Sequence, residues 1–232
     1  MPYRRLPKTD TARLKALKTV LDNNAIYTVR NRFIDWQTLN RAQPAYDRLL
    51  TATEQYRLTL ATQVRNGKKI ERYQRTALMY VSHFIQVLFM SVERGEIKKQ
   101  VLPLYGFTAD TMTLPKLNTP ETLLEWGRKI AEGEKQRIKN GGRPVYNPSI
   151  GMVSTHYDIF REIYEQQKLL QERTRRAQAA VEKLRPEVDD ILLSLWNQIE
   201  KHYENEPPEV RFNKCRELGV VYYYRRHEPH EL

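Results

Sequence analysis

Apolar residues recur at Ile70, Tyr73, Ala77, Tyr80, Phe84 and Val87 in alternating steps of three and four, and a second row runs Leu78, Val81, Ile85, Leu88 and Val92. Two adjacent rows make a helix that is apolar over more than half its circumference, so the pattern predicts a helix over 70–92 packed between several neighbours. Before it, Pro44 opens a helix whose inner face is Ala45, Leu49, Thr53, Tyr56, Leu60 and Val64. Asn66 and Gly67 lie between the two and tolerate the left-handed geometry of a helix end. They predict a tight turn and an antiparallel hairpin.

The helical period returns elsewhere. Thr9 or Asp10 caps a helix with Leu14, Leu17, Val20 and Leu21 on one face, and Thr119, Pro120 and Glu121 open another that carries Leu123, Trp126 and Ile130. A long helix from about Ser154 runs through Tyr157, Phe160, Tyr164 and Leu169 to Leu184. Pro186 then starts or kinks an arm with Val188, Ile191, Leu192, Leu195, Trp196 and Ile199. The stretch 25–43 has no clean period, which predicts irregular structure with one short helix. Val220 to Tyr224 is β-branched and aromatic and reads as a strand.

Laid on itself at an offset of about 110 residues, the chain matches in order. Leu-Pro-Lys occurs at Leu6 and at Leu114, each just before a helix start, and Leu14, Leu17 and Leu21 align with Leu123, Trp126 and Ile130. Ala77, Tyr80, Val81, Phe84, Ile85, Leu88 and Val92 align without a gap on Val188, Ile191, Leu192, Leu195, Trp196, Ile199 and Tyr203. Gly106 and Gly219 close the two series. The expected architecture is therefore all-α, a four-helix-bundle-like core from two duplicated helical repeats, about 1–107 and 108–226, in a single compact domain. If each repeat begins and ends extended, Tyr3 to Leu6 should pair with Val220 to Tyr224, or with part of Phe107 to Leu114, in a minor β-ribbon joining the termini. Residues 227–232 are expected to form a mobile tail.

Composition agrees with the pattern. Hydrophobic residues are 40% and charged residues 29% of the 232, which suits a soluble globular protein, and nine Gly are few for a turn-rich β fold. The formal charge of +11 and the pI near 9.7 would attract polyanions, but the cations are dispersed among Glu and Asp along the helices. A lone Cys215 excludes an internal disulfide framework and fits a reducing compartment. The first residues have no apolar run after Arg4 and Arg5, and Ala77 to Val92 is short for a bilayer and contains Ser82, His83 and Gln86. The expected location is the cytoplasm, with no membrane partner.

Candidate chemistry is sparse. Bundles often hold metals through Glu-x-x-His pairs on facing helices, and this chain has none. His227, Glu228, His230 and Glu231 cluster only in the expected tail, and His83 reads as a core or edge residue. Gly141, Gly142 and Arg143 follow a helix, so they read as a C-terminal cap and not as a phosphate loop. Ser149, Ser154 and Cys215 have no base at a readable spacing. What remains is cations beside aromatics: Tyr3, Arg4 and Arg5 at one end and Tyr223, Arg225 and Arg226 at the other, the candidate anion or nucleic-acid site if the ends meet. Arg173, Arg175 and Arg176 form a second cluster, and Lys68, Lys69, Arg72 and Arg75 a third at the expected hairpin turn.

The opening Met1 to Asp10, Met-Pro-Tyr-Arg-Arg-Leu-Pro and onward, with a helix directly after it, resembles that of a family of uncharacterised all-helical bacterial proteins. The resemblance implies a bacterial, cytoplasmic origin and brings no activity, cofactor or functional residue. These observations favour a non-enzymatic helical protein without cofactor or metal that binds a macromolecular partner, with a protein or a second copy favoured over nucleic acid. Nucleic-acid binding through the Tyr and Arg clusters, and an enzyme with a site between the repeats, are the alternatives.

Overall fold

Two helices begin the same way. The hydroxyl of Thr9 accepts the Ala12 N–H at 3.2 Å, and that of Thr119 accepts the Thr122 N–H at 3.2 Å, so each threonine satisfies an amide that has no partner within its helix. The structure, a computed structural model, describes residues 3–23, 26, 32–108 and 112–224. It is all-α, with helices α1 (Asp10–Leu21), α2 (Trp36–Glu93), α3 (Pro120–Lys139), α4 (Ile150–His202) and α5 (Pro208–Glu217) and a 3-10 helix over Lys99–Tyr105. Strands β1 (Tyr3–Arg4) and β2 (Tyr222–Tyr223) form the antiparallel terminal ribbon, Tyr3 opposite Tyr223 and Arg4 opposite Tyr222.

The chain divides into two compact units, residues 1–60 with 173–232 and residues 61–172. The borders fall inside α2 and α4. The repeats read from sequence, 1–107 and 108–226, are thus not the units. The first unit joins α1 and the opening part of α2 to the closing part of α4, and the second joins α3 and the opening part of α4 to the closing part of α2.

Each unit is a bundle of helical segments around its own core. In the first, Leu17 and Val20 of α1 pack with Leu39 and Leu49 of α2, Leu195 and Trp196 of α4, and Cys215 of α5. Thr38 meets Ser194, Arg41 meets Asp190 and Arg48 meets Glu187, so in this unit α4 runs antiparallel to α2. In the second, Val81, Phe84 and Leu88 of α2 pack with Tyr105, with Leu123 and Ile130 of α3, and with Phe160 of α4. Asn66 bonds Gln167 at 2.8 Å and Tyr80 stacks on His156 at 4.1 Å, again antiparallel. Phe84 and Leu195 are both fully buried.

The expected hairpin at Asn66 and Gly67 does not form; α2 is one helix through both residues. A glycine inside a helix costs only about 1 kcal/mol relative to Ala. Here the Asn66 amide is held by Gln167, and Ile70, Tyr73 and Ala77 pack in the core just beyond, so burial outweighs local propensity. Pro186 likewise lies within α4 and begins no separate arm. α2 also begins at Trp36, within the stretch 25–43 expected to be largely irregular, and Pro44 lies inside the helix instead of opening it. Asp35 accepts the Thr38 N–H at 2.7 Å and the Thr38 hydroxyl at 2.8 Å, which caps the helix eight residues or so ahead of the proline. Buried Leu39, Ala42 and Ala45 then hold the turn that Pro44 weakens. By length and composition α2 has a window apolar enough to cross a membrane, and the buried face of that stretch is the core of the second unit.

Candidate polyanion-binding face

Three groups of charged side chains among the described residues bear on function. The first is the terminal ribbon, which brings Tyr3, Arg4, Arg5 and Tyr223 together. Arg225 and Arg226, like the expected tail 227–232, lie outside the described residues. Arg4 is already occupied: Nη1 donates to Glu200 Oε2 at 2.8 Å and Nη2 to Asn197 Oδ1 at 2.8 Å. The Tyr222 hydroxyl donates to the other oxygen of Glu200 at 2.5 Å, and burial followed by this bond raises the Tyr222 pKa. Arg5 has no carboxylate partner among the described residues; its backbone N–H donates to the Val221 carbonyl at 3.2 Å and its guanidinium lies 5.8 Å from the Tyr223 ring. Lys201, Glu204 and Arg211 line a cleft beside Arg4, so cations and acids alternate around it. The ribbon is a clasp that fastens both ends of the described chain to α4.

The second group is buried. Glu134, which is fully buried, and Arg137 sit one turn apart on α3 and meet Tyr105 of the 3-10 helix. Arg137 donates to both oxygens of Glu134, at 2.9 and 2.8 Å, and to the Tyr105 hydroxyl at 2.8 Å. Tyr105 in turn donates to Glu134, and the Val145 N–H completes the carboxylate shell at 3.0 Å. Burial alone would raise the Glu134 pKa, but the bonds from Arg137, Tyr105 and Val145 outweigh it and the pKa lies below the usual carboxylate value. Burial and then the neighbouring Glu134 raise that of Tyr105. Gly133 permits the approach, since a Cβ there would stand 2.7 Å from the Leu104 carbonyl and 2.6 Å from the Tyr105 ring. With its acceptors filled, the cluster is a structural lock that carries no free base or acid.

The third group is the outer face of α2. Arg65, Lys68, Arg72 and Arg75 follow one another in steps of three and four, with Lys69 beside them, and all five are exposed. Ala77, Val81 and Phe84 occupy the opposite, buried side of the same helix. None of the five cations forms an ion pair with a described residue. By contrast Arg13, Arg48, Arg128, Arg137, Arg161 and Arg185 each hold a carboxylate. Lys68, Glu71, Arg72, Arg75 and Met79 border a shallow depression on this face. Glu71 is the one acid there. Four cations already visible in the sequence thus belong to a helix face instead of a turn, and Arg65 joins them only because the helix runs on through Gly67.

No protein family, characterised protein or solved structure matches this chain.

Proposed function

We propose that this is a non-enzymatic, cytoplasmic helical protein that binds an acidic macromolecule on the outer face of α2. The observation that carries the reading is the row of five cations without an ion pair among the described residues, Arg65, Lys68, Lys69, Arg72 and Arg75, in a chain that elsewhere pairs many of its arginines. Like charges three and four residues apart repel by about 0.2–0.5 kcal/mol per pair. A helix loses stability by keeping such a row, and a polyanion that neutralises it recovers that loss and releases its own counterions. Arg4, held by Glu200 and Asn197, contributes to the clasp and not to this surface.

The duplicated architecture belongs to the same proposal. It is supported by the matched threonine caps Thr9 and Thr119, and by Gly106 and Gly219, both left-handed and both followed by a residue whose N–H bonds a carbonyl five residues back. The caps place the repeat offset at 110, so Leu17 corresponds to Gly127 and Val20 to Ile130, one position from the alignment of apolar residues alone. Along the long arms, which align at an offset of 111, Ala179, Ala180 and Pro186 stand where Lys68, Lys69 and Arg75 would repeat, so the row on α2 has no full second copy. The proposed surface is therefore single.

Retention on immobilised heparin tests the reading. The variant Arg65→Gln/Lys68→Gln/Arg72→Gln/Arg75→Gln should elute at much lower salt than Lys15→Gln/Lys18→Gln/Lys135→Gln/Lys139→Gln, which removes the same charge from other exposed sites. Equal elution of the two would reduce binding to net charge and defeat the proposal.

A further inference from the structure

We infer that the acidic macromolecule is double-stranded DNA, held through its phosphates without base stacking. This rests on the polyanion reading above and names the ligand class. The first argument is composition. Single-strand binders need aromatic platforms, and the exposed residues Arg65 to Met79 on this face include none. Tyr73 and Tyr80 of the same stretch are half-buried against the core, and the Tyr80 ring is covered by His156. The second argument weighs against a protein partner. The cores of such interfaces are depleted of charge, and of Lys in particular, and are anchored by Trp and Tyr as well as Arg, whereas the centre of this face is cationic and without an aromatic, with Met79 at its edge and Val64 at its start.

Length and stiffness decide between the remaining ligands. From Arg65 to Arg75 a helix rises about 15 Å. Beside a duplex, which carries one charge per roughly 1.7 Å of axis, such a row faces about nine phosphates, enough for every cation. The major groove of B-DNA is about 12 Å wide and admits an α-helix, so cations on a single helix face reach both of its phosphate walls. The corresponding groove of duplex RNA is deep and narrow and closes to a helix. Continuity of α2 through Asn66 and Gly67 matters here, because a turn at those residues would send Arg65 away from Arg72 and break the row.

The test is competition, with the full chain and a labelled DNA duplex of about two helical turns read by fluorescence anisotropy at low salt. Unlabelled duplex DNA should displace the probe at roughly tenfold lower concentration than single-stranded DNA of the same length, duplex RNA or poly-glutamate. A duplex of shuffled sequence should compete within about threefold, since contacts to phosphate carry no sequence information. Neutralising Arg65, Lys68, Arg72 and Arg75 should weaken duplex binding at least tenfold, while the equal-charge control at Lys15, Lys18, Lys135 and Lys139 stays near wild type. If single strands, RNA or poly-glutamate compete as well as the DNA duplex and the four-cation variant loses them all, the duplex inference falls and the polyanion reading stands. If the protein binds none of them, both fall.

Discussion

Two charged regions of the second unit obey opposite rules. In the Tyr105, Glu134 and Arg137 cluster both carboxylate oxygens are bonded, and the acid is sealed from solvent. On the outer face of α2, Arg65, Lys68, Lys69, Arg72 and Arg75 stand in water with no described carboxylate opposite them. The difference separates charges that hold the fold from charges free to hold something else. An interior pair is costly to break because its partner is stranded, whereas an exposed cation can be removed at almost no cost to the fold.

Arg137→Ala should therefore be the most damaging change, lowering unfolding free energy by about 3–5 kcal/mol in denaturant titrations, since Glu134 would be left buried and unpaired. The same pair sets a pH dependence. Because the folded pKa of Glu134 is depressed, its contribution is complete above the unfolded value of about 4.3 and is lost as pH falls through the lower folded value. Stability measured across that acid window should fall less steeply in Glu134→Gln, and an unchanged slope would mean that the carboxylate is not held as described.

Apolar burial gives the next effect. Phe84→Ala and Leu195→Ala should each cost about 2–5 kcal/mol, one in each core. A loss well under 1 kcal/mol at either would remove it from its core. Gly67→Ala works in the other direction. A Cβ there would meet Gln167 at an ordinary 3.6 Å, so the substitution should stabilise by about 0.4–1 kcal/mol. A destabilised variant would restore the turn that the sequence suggested. Smallest of all, Lys68→Gln or Arg72→Gln should change stability by no more than about 0.5 kcal/mol, with a gain expected as like-charge repulsion is relieved. A loss well beyond that would show these cations to be structural.

The sequence made some of this legible and hid the rest for physical reasons. The rows from Ile70 to Val92 state their own burial because a helix repeats its faces every 3.6 residues, and Ala77, Val81, Phe84, Ile85 and Leu88 are all fully buried. The ribbon was legible because a short run of Val and Tyr needs a backbone partner, and Tyr3 to Arg5 supplies it. Asn66 and Gly67 misled because turn propensity is local, while the packing that overrides it comes from residues about 100 positions away, as the bond to Gln167 shows. Glu134 and Arg137 stayed hidden because an acid and a base three residues apart look like any solvated surface pair. Only the approach of Tyr105 over Gly133 buries them. The cations on α2 were visible one by one, yet their shared face depended on the helix that the expected turn had cut.

The salt dependence of DNA-duplex affinity tests the central claim most directly. Log affinity should fall linearly with log salt concentration, and removing Arg65, Lys68, Arg72 and Arg75 should reduce the magnitude of that slope by about 0.9 per cation, or roughly 3.6 in all. A variant that keeps the wild-type slope would contradict the account, because the exposed cations of α2 would then have no part in binding.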